Sequence, residues 1–79
     1  MNNKISVVIP TFNEGEYIKD LISIILKSSI VDELILVDDC SKPEFAQMYD
    51  TFSGFKVIHK PKNGGKEAAL VTGIELARN

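Results

Sequence analysis

The sequence predicts an α/β fold: three α/β/α layers of Rossmann-like type, with helices on both faces of a parallel sheet of three strands. Two observations carry that expectation. Ile5, Val7, Val8 and Ile9 form one nearly continuous apolar, mostly β-branched run, and Glu33-Leu34-Ile35-Leu36-Val37 forms a second; such runs mark strands covered on both faces. Between them Ile18, Leu21, Ile22, Ile25 and Leu26 recur at the spacing of one helical stripe. Strand, helix and strand within about thirty residues make a βαβ unit, whose right-handed crossover leaves the two strands parallel.

Each element follows from local chemistry. The first strand is expected to stop at Pro10, whose fixed φ and missing backbone donor suit a last strand position and leave Thr11 to Glu14 beyond the carboxyl edge. Asn13 is placed to cap the next helix, with Glu16 three positions on to complete a capping box. That helix should end around Lys27-Ser28-Ser29, where a lysine suits the negative end of the dipole. After the second strand comes Asp38-Asp39-Cys40-Ser41. Ser41 and Glu44 repeat the capping-box pattern, Pro43 suits a first turn, and Phe45, Met48, Tyr49 and Phe52 give a short helix its apolar stripe, closed by Gly54. Phe55 to His59 reads as a third strand and Lys60 to Lys66 as a loop. The last helix, from about Glu67, carries Leu70, Gly73, Ile74 and Ala77 at helical spacing. Gly73 costs about 1 kcal/mol there relative to alanine, which a close approach to the sheet would justify.

Composition bounds the function. Seventy-nine residues at 44% hydrophobic content support one domain with a small core. A net charge of −2 offers no global basic footprint for nucleic acid or an anionic membrane, so any anion site must be local. The single Cys40 excludes an intrachain disulfide, no signal-peptide pattern follows Met1, and no apolar stretch approaches a membrane span. A cytoplasmic setting is the expectation. Cys40 and His59 read as structural, because no second Cys or His exists to complete a metal site or a Cys–His pair.

Three loops converge at the carboxyl edge of this sheet: Pro10 to Glu14, Asp38 to Ser41, and Lys62 to Lys66. Open α/β sheets bind ligands at that edge. Singly, each loop has a plain reading as a helix entry, a solvated turn or a glycine loop; at successive strand ends they point together to a nucleotide. A carboxylate can accept a hydrogen bond from a base imide N–H, and groups at a helix start can hold ribose or phosphate. Strand alternation sends the side chains of Asp38 and Asp39 to opposite faces, so one can face a ligand while the other anchors backbone. Gly64-Gly65 lets the chain fold tightly or approach a ligand, and Lys66 puts a cation at a helix N-terminus, where the dipole disfavours it unless an anion joins it. Lys56 and Lys60 read as a solvated rim. Gly65-Lys66 is no P-loop, since Lys60 stands where the first glycine belongs and Glu67 where Ser or Thr would hold magnesium.

The blocks Ser6-Val7-Val8-Ile9-Pro10-Thr11-Phe12-Asn13-Glu14, Leu36-Val37-Asp38-Asp39-Cys40-Ser41 and Asn63-Gly64-Gly65-Lys66, with Ala69 and Gly73, resemble in this order the N-terminal part of family 2 glycosyltransferases. The dolichol-phosphate-mannose-synthase-like and polysaccharide-synthase-like branches are the most similar. The resemblance spans residues 1–79 and implies a GT-A nucleotide-diphospho-sugar-binding half-domain, truncated before its fourth strand. It implies inverting sugar transfer from a UDP- or GDP-sugar, in cell-wall or polysaccharide biosynthesis. By that resemblance Pro10, Thr11 and Glu14 stand in the nucleoside-contacting loop, with Asn13 among them. Asp39 matches the base-binding carboxylate beside Asp38, and Lys66 the basic group near the base or diphosphate.

The same resemblance places an Asp-x-Asp metal motif and a catalytic base further along the family's chain. No residue here is therefore assigned a catalytic or metal-ligating role, Mg2+ or Mn2+ is implied only for the complete enzyme, and the chain alone is expected to be inactive. The complete protein is expected to sit in the cytoplasm or on the cytoplasmic face of a membrane. The alternative is a self-standing, non-catalytic α/β module that pairs through its open sheet edge, as a homodimer or with another chain.

Overall fold

A computed structural model of the chain describes residues 4–52 and 54–78. Its elements are β1 (Ile5–Thr11), α1 (Tyr17–Leu26), β2 (Val31–Asp38), α2 (Pro43–Asp50), β3 (Lys56–His59) and α3 (Lys66–Leu76). The strands form one parallel sheet in the order β1-β2-β3, so β2 is central. Leu34, Ile35, Leu36 and Val37 of β2 are accordingly buried.

Alternation along β2 divides the core. Leu34 and Leu36 meet Ile18 and Ile22 of α1 and Tyr49 of α2, with Val7, Ile9 and Val57 beside them. Ile35 and Val37 face the other way, to Ala69 of α3 with Val8 and Ile58. Helices thus cover both faces, α1 and α2 on one and α3 on the other, as the continuous apolar runs require. This is a small α/β half-domain.

Pro10 does not end β1. It lies within the strand, in register with Val37, and Thr11 still pairs with Asp38. The Ile5 N–H donates to Ile30 and the Thr11 carbonyl accepts from Asp39, so odd-numbered residues of β1 face β2 and Pro10 turns its nitrogen to the open edge. An edge position is where a strand tolerates proline.

Neither expected capping box forms. The N-cap of α1 is Glu16 and that of α2 is Lys42, both without a side-chain cap, while Pro43 takes the first turn of α2 as expected. Asn13 lies four residues before α1 with φ 52°, a left-handed value that asparagine tolerates better than most residues. Asn13 and Ser41 are instead bonded across the gap between their loops. Phe52 falls beyond α2 yet keeps its place in the core beside Tyr49.

The buried stripe of α3 is Ala69 and Gly73, whereas Ile74 is 62% exposed. Small residues face the sheet because the helix lies close against it. A Cβ on Gly73 would collide with Val8 and stand 3.1 Å from Val37 Cγ2. Gly73→Ala should therefore destabilise the fold by about 1–3 kcal/mol despite alanine's better helix propensity, because the methyl overpacks a sheet that cannot recede. Urea unfolding measures it, and a neutral or stabilising result would mean that α3 can lift away.

Candidate functional site

The carboxyl ends of the strands are tied into one rim. The Asp39 N–H donates to the Thr11 carbonyl at 2.9 Å, and the Lys60 N–H donates to the Asp38 carbonyl at 2.8 Å. Between these ties stand two adjacent aspartates, 1% and 3% exposed. Their side chains go to opposite faces, as alternation demands.

On the α3 face, Asp39 Oδ1 accepts the Gly64 amide at 3.0 Å and Oδ2 the Gly65 amide at 2.8 Å. Lys60 Nζ lies 3.1 Å from Oδ1, its side chain 15% exposed. Lys60 is thus a half-buried counterion and not a solvated rim. Burial alone would push the Asp39 carboxyl up, but the Gly64 amide, the Lys60 ammonium and the Gly65 amide outweigh it and hold the group below its ordinary value. Gly65 reaches the carboxylate at φ +91°, which a side chain would strain.

On the other face, Asp38 Oδ1 accepts the Ser41 amide at 2.9 Å and Oδ2 meets His59 Nδ1 at 2.7 Å. His59 Nε2 meets Asp50 Oδ1 at 2.6 Å. A neutral imidazole has one N–H, and two carboxylates need two, so this geometry belongs to the imidazolium. The Asp50 and Asp38 hydrogen bonds raise the His59 pKa against the opposing effect of burial.

The β1–α1 loop is pinned from below and from the side. The Tyr49 hydroxyl, on a fully buried side chain, donates to the Glu14 carbonyl at 2.9 Å and accepts the Glu14 N–H at 2.9 Å, and it lies 3.2 Å from Thr11 Oγ1. The Asn13 N–H donates to Ser41 Oγ at 2.8 Å, and Asn13 Oδ1 accepts the Lys42 N–H at 2.8 Å. The Glu14 carboxylate takes the Tyr17 hydroxyl, which raises the pKa of that phenol.

A cavity of about 80 Å³ opens at this rim, lined by Pro10, Thr11, Phe12, Glu14, Asp39, Lys66 and Ala69. Five of the seven candidate residues meet there. The other two do not: Asn13 holds the neighbouring loop, and Asp38 faces away from the cavity, towards Ser41 and His59. A larger hollow of about 660 Å³ lies at the opposite edge, around Val31, Glu33, Lys56 and Arg78. Its charges answer one another. Glu33 accepts from Ser6 Oγ at 2.8 Å and from the Arg78 amide at 2.9 Å, with Lys56 Nζ at 3.7 Å. The Arg78 amide and the Ser6 hydroxyl lower its pKa against desolvation.

The family model for glycosyl transferase family 2 matches residues 6–79. The chain belongs to that family. Glycosyltransferase GlyG of Streptococcus pneumoniae is 35% identical over 83 residues, covering 99% of this chain and 28% of that protein. An undecaprenyl-phosphate 4-deoxy-4-formamido-L-arabinose transferase of Proteus mirabilis is 34% identical, over 95% of this chain and 26% of its own. A dolichol-phosphate mannosyltransferase of Pyrococcus furiosus is 35% identical, over 94% of this chain and 22% of its own. The chain therefore spans about a quarter of the length of these relatives. No solved structure matches at comparable significance.

In this family 2 chain, no three His, Cys, Asp or Glu side chains gather as a metal would require, among the described residues. The adjacent aspartates do not fit a shared cation, since they face apart and each already holds a basic side chain, Asp38 with one backbone amide and Asp39 with two. No helix among the described residues is long and apolar enough to cross a membrane. Sequence reasoning missed Phe12, Tyr49 and Lys60. Phe12, an aromatic in an otherwise polar turn and 46% exposed, carried its own signal. Tyr49 and Lys60 did not, because their roles depend on which loop the fold sets beside them.

The His59 bridge makes stability depend on pH. Its folded pKa is raised, so its contribution is complete below the ordinary value of 6.5 and is lost as pH rises through the folded value. The Asp39 anchor acts oppositely: its contribution is present above the ordinary 3.8 and is lost as pH falls through the lowered folded value. The thermal midpoint should fall on the alkaline side in the parent chain, and His59→Gln should flatten that limb. Identical alkaline limbs in both would remove His59 as the cause.

Proposed function

We propose that the cavity at the ends of β1 and β2 takes the nucleoside end of a UDP- or GDP-sugar, and that the chain is the donor-binding part of an inverting glycosyltransferase. The observation that carries this reading is the meeting of Pro10, Thr11, Glu14, Asp39 and Lys66 around one cavity. Asp39, ionised at neutral pH, has about four acceptor positions. The Gly64 amide, shared between both oxygens, the Gly65 amide and Lys60 already reach the group, and a base imide N–H would join them on the side that borders the cavity. Phe12 offers an exposed ring on which a base can stack. Lys66, with the unpaired amides that open α3, suits the diphosphate. The Thr11 hydroxyl is turned to Tyr49 and its carbonyl takes the Asp39 N–H, so Thr11 serves the cavity as wall and support.

A divalent cation, Mg2+ or Mn2+, would neutralise the leaving diphosphate in the whole enzyme. Beside it, the described residues would supply binding and orientation of the donor. Two relatives are named for dolichol phosphate and undecaprenyl phosphate. A polyprenyl phosphate is accordingly our proposed acceptor class for the whole protein, working at the cytoplasmic face of a membrane in polysaccharide or cell-wall assembly.

Titration calorimetry with UDP and GDP tests the reading. Asp39→Asn should weaken binding about ten- to a hundredfold, the effect of losing about 1.5–3 kcal/mol at a charged hydrogen bond, and Asp38→Asn should weaken it less. No binding of either nucleotide at millimolar concentration, or a greater loss in Asp38→Asn, would contradict it.

A second reading, self-pairing through the sheet edge, draws on β1, which has no neighbour on its outer side among the described residues. Val71 and Ile74 of α3 add apolar surface, 54% and 62% exposed. Sedimentation of the chain should then show dimers or larger species at micromolar concentration, and a stable monomer would leave donor binding as the sole reading.

A further inference from the structure

Tyr49 does not border the cavity, yet the wall of the cavity hangs on its hydroxyl. A phenolic O–H has one proton and two lone pairs. All three are assigned here: the proton goes to the Glu14 carbonyl, one lone pair takes the Glu14 N–H, and the other takes the Thr11 hydroxyl proton. One atom therefore holds both backbone groups of Glu14 and the side chain of Thr11, the two residues that flank Phe12 and Asn13.

The support beneath that atom is rigid. The Tyr49 side chain is fully buried, in the core cluster with Ile18, Ile22, Leu34 and Leu36. Its ring lies 6.1 Å from that of Phe52, which stands 6.1 Å from Phe55. The hydroxyl is thus a fixed point of α2 projected beneath the β1–α1 loop. Among the described residues, Asn13 gives the loop its only other tie to the α2 side, through Ser41 and Lys42 at its exposed flank.

We propose that Tyr49 is a positioning residue for donor binding, whose hydroxyl sets the height and direction of the loop carrying Phe12 and Glu14 without touching the ligand. This role rests on the nucleotide reading of the cavity. Without the hydroxyl, the ring still fills the core, but the Glu14 N–H and carbonyl lose their shared partner and the loop can turn to find others. The Asp39–Gly64–Gly65 side of the cavity is held independently and would keep its form.

The test compares the parent chain with Tyr49→Phe and Phe52→Leu. Tyr49→Phe keeps the ring and removes the tie; Phe52→Leu disturbs the same aromatic cluster and keeps the tie. Titrated with UDP and GDP, Tyr49→Phe should bind about tenfold more weakly, the consequence of partly buried backbone groups and the buried Thr11 hydroxyl losing their shared partner. Phe52→Leu should bind like the parent at a temperature where it is folded. Amide exchange by NMR supplies a readout free of ligand: the Glu14 amide should exchange faster in Tyr49→Phe while Gly64 and Gly65 keep their rates. Failure of the parent to bind either nucleotide overturns the reading of the cavity and this role with it. Parent-like binding by Tyr49→Phe, or an equal loss in Phe52→Leu, overturns this role alone.

Discussion

Two neighbouring carboxylates buried at the end of the central strand are the constraint around which the rest of the carboxyl edge is arranged. Asp38 and Asp39 are almost wholly shielded from water, and an unpaired buried charge is among the most unfavourable features a small fold can carry. The pleat solves the first half of the problem by sending them to opposite faces. Separate partners solve the second half: His59 and the Ser41 amide for Asp38, Lys60 and the Gly64 and Gly65 amides for Asp39. The two cations are the last residue of β3, His59, and the next, Lys60, so consecutive residues at one strand end answer consecutive residues at its neighbour's. The third strand is needed to neutralise the second.

That arrangement separates the two faces in function. On the α1 and α2 side, Asp38, His59, Asp50, Ser41 and Asn13 satisfy one another and hold loops together. On the α3 side, Asp39 borders open space with Lys66 and Phe12. Chemistry that could serve a ligand therefore lies on one face, and chemistry that holds the edge together on the other.

The fold was legible because its signals are local or periodic. The apolar runs, the stripe of α1 and the crossover rule yield the parallel sheet directly, and the three loop motifs place a site at its carboxyl edge. The helix caps were misread because Asn13 and Ser41 have good capping chemistry but found each other's loops 28 residues away. Local pattern cannot weigh that tertiary competitor. Pro10 was misplaced for a similar reason, since its tolerance depends on β1 being an edge strand, which strand order decides. In α3 the expected stripe of Leu70, Gly73, Ile74 and Ala77 holds at Gly73, which lies close on the sheet, and at Ala77, but Ile74 is exposed and Ala69 is buried instead, because the close approach admits only small side chains. Lys60 looked like a rim residue because nothing in a run of lysines says which one turns inward to a carboxylate.

The small residues of α3 connect the packing to the site. Were α3 held off by larger side chains at 69 and 73, its N-terminus would be displaced from the sheet together with Gly64, Gly65 and Lys66, which lead directly into it. Asp39 can take both glycine amides only if those residues arrive within hydrogen-bond reach of the strand end. With Gly73 over Val8 and Val37, and Ala69 against the same cluster, the helix lies low enough for its first turn to meet Asp39. The glycine that helix propensity disfavours thus helps set the distance between the Asp39 carboxylate, just past β2, and the cation of α3, and with it the width of the cavity they share.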